Sequence, residues 1–229
     1  MTLLSKRLQS VAQMVDSNVR LADIGSDHAY LPVELIEQGI VDYAIAGEVA
    51  KGPMSRSQAD IEKFGLQNRI DVRLGDGLAV IESSDKIDTV VIAGMGGILI
   101  SDILKRATKD QLSAVRTLIL QPNIGEPLVR HWLVDNGFKI VNEDIVSEEN
   151  HLYEIIKAEK TDQVKPLSSA QYLMGPVLMM NKSETFRQKW SKKLSSYQRS
   201  VANMHKAKKI DQVKINQMQD YIKYIEEIL

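Results

Sequence analysis

The residues of this chain with the clearest chemical promise lie in one ten-residue stretch, Asp23-Ile24-Gly25-Ser26-Asp27-His28-Ala29-Tyr30-Leu31-Pro32. An apolar run of Val19, Leu21, Ala22 and Ile24 leads into it and reads as a buried strand. Pro32 then suits a helix start, where its missing N–H costs nothing. A strand, a turn at a glycine and a helix make the ligand-binding end of a Rossmann-like unit. A dinucleotide fingerprint, G-x-G-x-x-G, would let bare backbone approach a pyrophosphate. Here a single glycine stands between Asp23 and Asp27, and two carboxylates repel a pyrophosphate. They suit a ligand that brings positive charge, such as the ammonium and sulfonium of S-adenosyl-L-methionine (SAM). The turn therefore argues for that cofactor and against NAD. Asp27 also has an ordinary alternative, as the N-cap of the following helix.

Further polar signals fall where other strands should end, and ligands of open α/β sheets sit outside the carboxyl ends of the strands. Glu48 closes the second apolar run, 23 residues past Gly25. An acid there can accept both hydroxyls of a ribose, which NAD and SAM share, although a surface glutamate at a strand end is the more ordinary reading of this residue alone. Asp76, between Gly75 and Gly77, suits the exocyclic amine of an adenine, although Gly-Asp-Gly is also plain turn chemistry. Gly94-Met95-Gly96-Gly97 lets backbone come close to a flat ligand, with Met95 as a soft apolar wall, or is only a tight strand-to-helix turn. Gln121-Pro122-Asn123 offers amides to the edge of a base, or is a common turn of asparagine beside proline. His28 and Tyr30 lie beside the same pocket; Tyr30 stacks on a flat substrate or fills a core. His28, His131, His151 and His205 are scattered, so no metal is expected.

These groups need elements to position them. Leu4, Leu8, Val11 and Val15 predict a helix over 3–16; Lys6 and Arg7 could flank the cofactor mouth, but a solvated face is the more usual place for such charges. After the first strand come a helix over 32–38, a strand over 41–49 and a helix from Lys51 to Phe64-Gly65. Strands follow over 70–74 and 87–93, then a helix over 98–106 and a strand over 117–120. A helix from Pro127 ends at Asn136-Gly137, and strands over 138–146 and 151–158 flank a loop at 147–150. Alternating strands and helices predict a parallel sheet, and the final pair an antiparallel hairpin. Beyond Lys165-Pro166, Phe186, Trp190, Leu194, Tyr197, Val201 and Met204 form one helical stripe. Ile215, Met218, Ile222, Ile225 and Leu229 form a second. The two read as core faces of an antiparallel helical hairpin joined near Lys208–Asp211.

The 229 residues carry no cysteine, which excludes a disulfide, a thiolate nucleophile and a Cys-based zinc site. Lys6, Arg7 and Gln9 interrupt any signal-peptide core, and no apolar run approaches membrane-spanning length. A cytoplasmic protein is expected. The net charge of −1 hides an asymmetry: residues 1–150 carry −7 and residues 151–229 carry +6. From Lys182 to Lys209 there are nine cations, including Lys189, Lys192, Lys193, Arg199 and Lys206, against one acid, Glu184. A merely solvated helix normally mixes signs. The bias therefore favours a phosphate backbone as partner.

Asp23-Ile24-Gly25-Ser26-Asp27-His28-Ala29-Tyr30-Leu31-Pro32, Gly94-Met95-Gly96-Gly97 and Gln121-Pro122-Asn123 together resemble the bacterial tRNA (adenine(22)-N(1))-methyltransferase family, the TrmK type. The resemblance extends over the whole chain. It implies a class I SAM-dependent methyltransferase: α/β, Rossmann-like, with a mainly parallel seven-stranded sheet of order 3-2-1-4-5-7-6. A C-terminal α-helical coiled-coil hairpin domain would follow, with domains at 1–160 and 161–229. SAM is the implied cofactor and tRNA the implied substrate, held by the basic hairpin, with a monomer expected. By position, Asp23, Gly25, Ser26, Asp27 and His28 would surround the methionine end of SAM. Glu48 would hold the ribose, and Asp76 with Gly77 would meet the adenine. Gly94 and Met95 would line the methyl-transfer side. Gln121, Pro122 and Asn123 occupy the place of the Asp/Asn-Pro-Pro-aromatic motif of amino-methyltransferases and match it in part. Tyr30, Gln121 and Asn123 are the candidate catalytic residues. The alternatives are a methyltransferase for a small molecule or protein whose hairpin serves oligomerisation, an NAD-dependent dehydrogenase, and a non-catalytic RNA-binding protein.

Overall fold

Short apolar strands that end in polar or glycine turns, each followed by a helix, produce a layered α/β unit. The computed structural model describes residues 4–206 and 211–229. The chain divides into two units, Met1–Lys165 and Pro166–Leu229. Among the described residues the first unit holds strands β1 Val19–Ile24, β2 Val41–Glu48, β3 Ile70–Leu74, β4 Thr89–Met95, β5 Thr117–Pro122, β6 Phe138–Glu148 and β7 His151–Lys160. They make one sheet of order β3-β2-β1-β4-β5-β7-β6. β1 to β5 are parallel, β7 runs antiparallel to β5, and β6 antiparallel to β7. The order reverses between β1 and β4, so the connections that follow them leave on opposite faces and open a crevice outside the carboxyl ends.

The helices of this unit are α1 Lys6–Gln13, α2 Tyr30–Glu37, α3 Lys51–Lys63, α4 Gly97–Arg106, α5 Lys109–Leu112 and α6 Glu126–Asp135. Leu21, Ala44, Ala46, Val91, Ile119 and Ile155 join Val11, Val33, Leu35 and Ile61 in one buried core with α1, α2 and α3. Side chains alternate along a strand, so Val90, Ile92, Leu118 and Leu120 turn to the other face, where α4 and α6 pack. Burial on both faces accounts for the near-continuous apolar runs. Behind α6, the Arg130 guanidinium is wholly buried between the carboxylates of Glu143 on β6 and Glu154 on β7.

Several boundaries differ from expectation for local reasons. α2 begins at Tyr30, two residues before Pro32, because Ala29 takes a left-handed conformation and starts the helix early. Pro32 remains in the first turn, where its missing N–H is still harmless. β4 runs to Met95 and β5 to Pro122, so Gly94 and Gln121 are strand residues. The expected loop at 147–150 shrinks to Glu149 and Asn150, both at positive φ, the conformation of a two-residue hairpin turn. α5 is a single turn closed by a Thr108/Gln111 capping box, too short to show a periodicity. The helix expected over 3–16 is shorter: Ser5 caps it, and Leu3 lies outside the described residues.

The second unit contains α7 Ser169–Met174, α8 Pro176–Asn181, α9 Glu184–Met204 and α10 Gln212–Ile228. α9 and α10 are antiparallel: Lys182 Nζ donates to the Ile228 carbonyl at 2.7 Å, and Tyr197 and Tyr221 meet ring to ring at 5.7 Å. Lys208 and Lys209, placed by the sequence at the joint, lie outside the described residues. No helix among the described residues is long and apolar enough to cross a membrane.

Candidate active site

The tip of β1 carries the most perturbed acid. Asp23 is buried, and Ser26 Oγ donates to its Oδ2 at 2.5 Å. Loss of water pushes its pKa up to about 7, against the pull of Ser26; Glu48 pushes it further up and Arg7 pulls it down. Gly25 follows at φ +73°, and a Cβ there would lie 2.3 Å from Met95 Cε. Only glycine lets the ends of β1 and β4 touch in this way. Its N–H donates to the Gly47 carbonyl at 2.8 Å.

Three consecutive residues then adopt left-handed backbone: Asp27 at φ 39°, His28 at 68° and Ala29 at 54°. Each such non-glycine residue costs about 1–3 kcal/mol unless the surroundings hold it. The holding groups come from β2 and α3. The Asp27 N–H donates to Glu48 Oε1 at 2.8 Å, and His28 Nδ1 lies 2.7 Å from Asp60 Oδ2. Lys63 and His28 together hold the Asp60 carboxyl below its usual range. The His28 ring stacks on Tyr30, with centroids 5.1 Å apart and planes 11° apart. Asp27 does not cap the helix: its side chain is 76% exposed and 4.0 Å from Arg56 Nη2. Glu48, at the end of β2, is buried, and this desolvation raises its pKa.

Across the crevice, Gln121 is fully buried. Its Oε1 accepts from Gly94 N–H at 2.9 Å and from Arg7 Nη1 at 2.5 Å, and its Nε2 donates to Asn123 Oδ1 at 3.1 Å. The expectation that Gln121 meets a base is therefore corrected: its amide is taken up inside the protein, where it orients Gly94 and Asn123. Asn123 is exposed, with Nδ2 on the Gly94 carbonyl at 2.8 Å and N–H on the Met95 carbonyl at 2.7 Å. Arg7 is also corrected. It is no solvated residue: its guanidinium lies over the Tyr153 ring at 5.7 Å and reaches Gln121, and a Cβ on Gly94 would stand 3.5 Å from its Nη1. No periodicity separates Arg7 from Lys6, since the partner that selects it is 114 residues away. No motif marks Asp60 or Ser57, whose Oγ donates to Glu48 Oε1 at 3.4 Å, since both are polar residues on a helix.

Asp76 follows β3, and Gly75 N–H donates to the Glu48 carbonyl at 2.8 Å, which ties this turn to the tip of β2. The Asp76 carboxylate is exposed and accepts from Arg106 Nη2 at 3.0 Å. Gly77, at φ +58°, packs against Ile103. The structure thus brings Asp23, Gly25, Ser26, Asp27, His28, Tyr30 and Glu48 to one edge. Gly94, Met95, Gln121 and Asn123 stand against them through the Gly25–Met95 contact, and Asp76 with Gly77 lies one strand further out.

The basic helix of the second unit needs a correction of its own. Lys189 is only 6% exposed, with Nζ 5.8 Å from the Trp190 ring, because it falls on the buried side of α9. Lys182 and Arg187 donate to the last carbonyls of the chain, Ile228 and Leu229. Lys192, Lys193, Arg199 and Lys206 are exposed.

A mainly parallel sheet of this order, with an antiparallel seventh strand and acids at the tips of β1 and β2, is the fold of the class I methyltransferases. Within that class the chain belongs to the TrmK family, tRNA (adenine(22)-N(1))-methyltransferase, whose model matches residues 21–227. It is 38% identical over 232 residues to the tRNA (adenine(22)-N(1))-methyltransferase of Bacillus subtilis, covering 99% of this chain and 97% of that one. It is also similar to the crystal structure of the B. subtilis m1A22 tRNA methyltransferase, with TM-score 0.91, 37% identity and coverage of 100% and 99%. Another relative is a Streptococcus pneumoniae protein proposed to be a tRNA (m1A22) methyltransferase, solved with S-adenosyl-L-methionine. There the TM-score is 0.89 and the identity 40%, over 99% of this chain and all of that one.

Proposed function

We propose that this chain is a SAM-dependent methyltransferase acting on ring nitrogen 1 of adenine 22 in tRNA. The observation that carries the reading is the pair of buried acids, Asp23 and Glu48, at adjacent strand tips of a class I sheet in a chain of this family. The residues fit the cofactor. Carboxylates suit its cationic end, and Gly25 lets Met95, placed on the transfer side, lie directly against the tip of β1. When bound, SAM supplies an electrophilic methyl group. Asp23, Gly25, Ser26, Asp27 and His28 would hold its methionine end, Glu48 its ribose, Asp76 and Gly77 its adenine, and Gly94 and Met95 would line the transfer side.

Adenine N1 has a free lone pair, so no base need remove a proton before it is methylated. The protein's work is orientation and electrostatics. Asn123, fixed by Gln121 and Gly94, would hold the edge of the target base, and Tyr30, braced by His28, would stack on it. The Arg7–Gln121 bond keeps the Asn123 loop in place. The methylated adenine is cationic, and Asp23 would stabilise the charge as it develops. A base stacked in folded tRNA must be turned out to reach this site. One chain supplies every group named, which suits a monomer, and a tRNA substrate suits the cytoplasm.

Asp23 gives the first test. Its pKa of about 7 lies above the ordinary 3.8, so between those values the folded chain keeps a proton that the unfolded chain releases. The contribution of Asp23 to stability therefore falls as pH rises through that window. A cationic ligand favours the ionised form, so SAM affinity should rise with pH, by up to about tenfold per unit below pH 7. Calorimetry on either side of neutrality checks this, and Asp23→Asn should flatten the profile.

Replacing Lys192 and Lys193 by glutamine should weaken tRNA binding and lower its salt slope by roughly 2 if both contact phosphate. Titrations at several salt concentrations measure it; an unchanged slope would take α9 out of the interface. The decisive experiment incubates the protein with radiolabelled SAM and unmodified tRNA, then identifies the labelled nucleoside. Label in 1-methyladenosine at position 22 is expected. SAM binding without label in tRNA would favour the small-molecule or protein substrate.

A further inference from the structure

Three large apolar side chains stand in solvent beside the acceptor loops. Ile98 is 68% exposed, Ile124 72% and Leu128 47%. They come from three segments: the first turn of α4, the loop between β5 and α6, and the first turn of α6. Backbone contact draws these segments together. Gly97 N–H donates to the Ile124 carbonyl at 2.7 Å, and a Cβ on Gly97 would stand 2.3 Å from the Gly125 oxygen. A Cβ on Gly96 would reach Ile124 Cγ1 at 4.0 Å, and one on Gly125 would meet Leu128 Cδ1 at 3.7 Å. Glycines thus let the two loops close on each other with their aliphatic side chains turned outward. Ile124 directly follows Asn123, whose amide is bonded to the Gly94 carbonyl. The ridge is continuous with the acceptor side of the crevice.

Single exposed apolar residues need no explanation, but a cluster at the mouth of a site does. We propose that Ile98, Ile124 and Leu128 form a wedge that enters the tRNA stack where the target adenine leaves it, and keeps that gap open while the base is held at Asn123. The inference rests on the tRNA reading above. An adenine turned out of a stack leaves a flat, apolar slot between its neighbours. Proteins that hold such steps apart insert aliphatic side chains, since these replace lost stacking contacts without needing hydrogen bonds. The three side chains are all aliphatic, and Ile124 directly follows the residue proposed to receive the base.

The test uses a tRNA transcript that keeps the target adenine and carries 2-aminopurine next to it, whose fluorescence rises when it loses its stacking partner. A second transcript has a mismatch that leaves the target adenine unpaired. With the Ile98→Ser/Ile124→Ser variant, the fluorescence rise should be lost. Turnover on the folded transcript should fall roughly tenfold or more, because the stacked base then has to leave its neighbours unaided. SAM affinity should stay at the wild-type value, and the mismatched transcript should recover most of the turnover. Ile124→Phe, which keeps an apolar wedge, should retain the fluorescence rise. Equal losses on both transcripts, an undiminished fluorescence rise, or weakened SAM binding would overturn the proposal. So would full activity of the serine variant on folded tRNA, which would leave the ridge to a protein partner. A wild-type protein that methylates neither transcript would instead defeat the tRNA reading itself.

Discussion

Glu48→Ala should lower SAM affinity roughly 100-fold or more while leaving the chain folded. Two losses combine. The carboxylate proposed to accept the ribose hydroxyls disappears, and a hydrogen bond to a charged group contributes about 1.5–3 kcal/mol. The same side chain accepts the Asp27 N–H at 2.8 Å and so restrains the left-handed run from Asp27 to Ala29. Released, that run can relax by about 1–3 kcal/mol per residue toward conformations that do not shape the pocket. Together these exceed the 2.8 kcal/mol or so that corresponds to a factor of 100. Glu48→Gln separates the two effects. Its amide oxygen can still accept the Asp27 N–H, so it should lose less affinity than the alanine variant. Calorimetric titration of both variants checks the order; an alanine variant that binds as tightly as wild type would remove Glu48 from the cofactor site.

Arg130→Leu should cost about 3–5 kcal/mol of stability at neutral pH, the usual penalty for breaking a buried ion pair from one side. Arg130, Glu143 and Glu154 are fully buried, and together they join α6 to the β6–β7 hairpin. Without the guanidinium, two carboxylates remain in a place where charge is poorly solvated. Urea denaturation at neutral pH measures the deficit. Replacing Glu143 and Glu154 by methionine in the same variant should recover most of the loss, since a well-packed apolar set can substitute for a buried ion cluster.

Much of the fold was legible because its signals are local. A buried parallel strand needs a β-branched run, a turn needs glycine or aspartate, and a helix announces its ends with proline and glycine. Those rules located β3 to the residue and set Asp23, Glu48, Asp76, Gly94 and Asn123 at strand ends that face one edge. The acids around Gly25 pointed to a cationic ligand for the same reason: charge type and spacing are read along the chain.

Tertiary structure decided which residues meet across the chain. Arg7 joins the site because α1 lies against β6 and β7, which brings its guanidinium to Gln121. Gln121 turns its amide inward, to Gly94 and Asn123, because β5 runs two residues further than its apolar run and buries it. Lys189 carries the same charge as Lys192, yet the rotation of α9 places one inside and the other in solvent. The left-handed residues Asp27, His28 and Ala29 have no glycine to announce them. They persist because Glu48 and Asp60, 21 and 32 residues onward, supply the bonds that hold them. The sequence by itself determined the strand ends and the charge they carry, since neighbours along the chain set both. The partners of those groups followed from which elements the sheet order places side by side, and that order rests on packing two faces of apolar side chains at once.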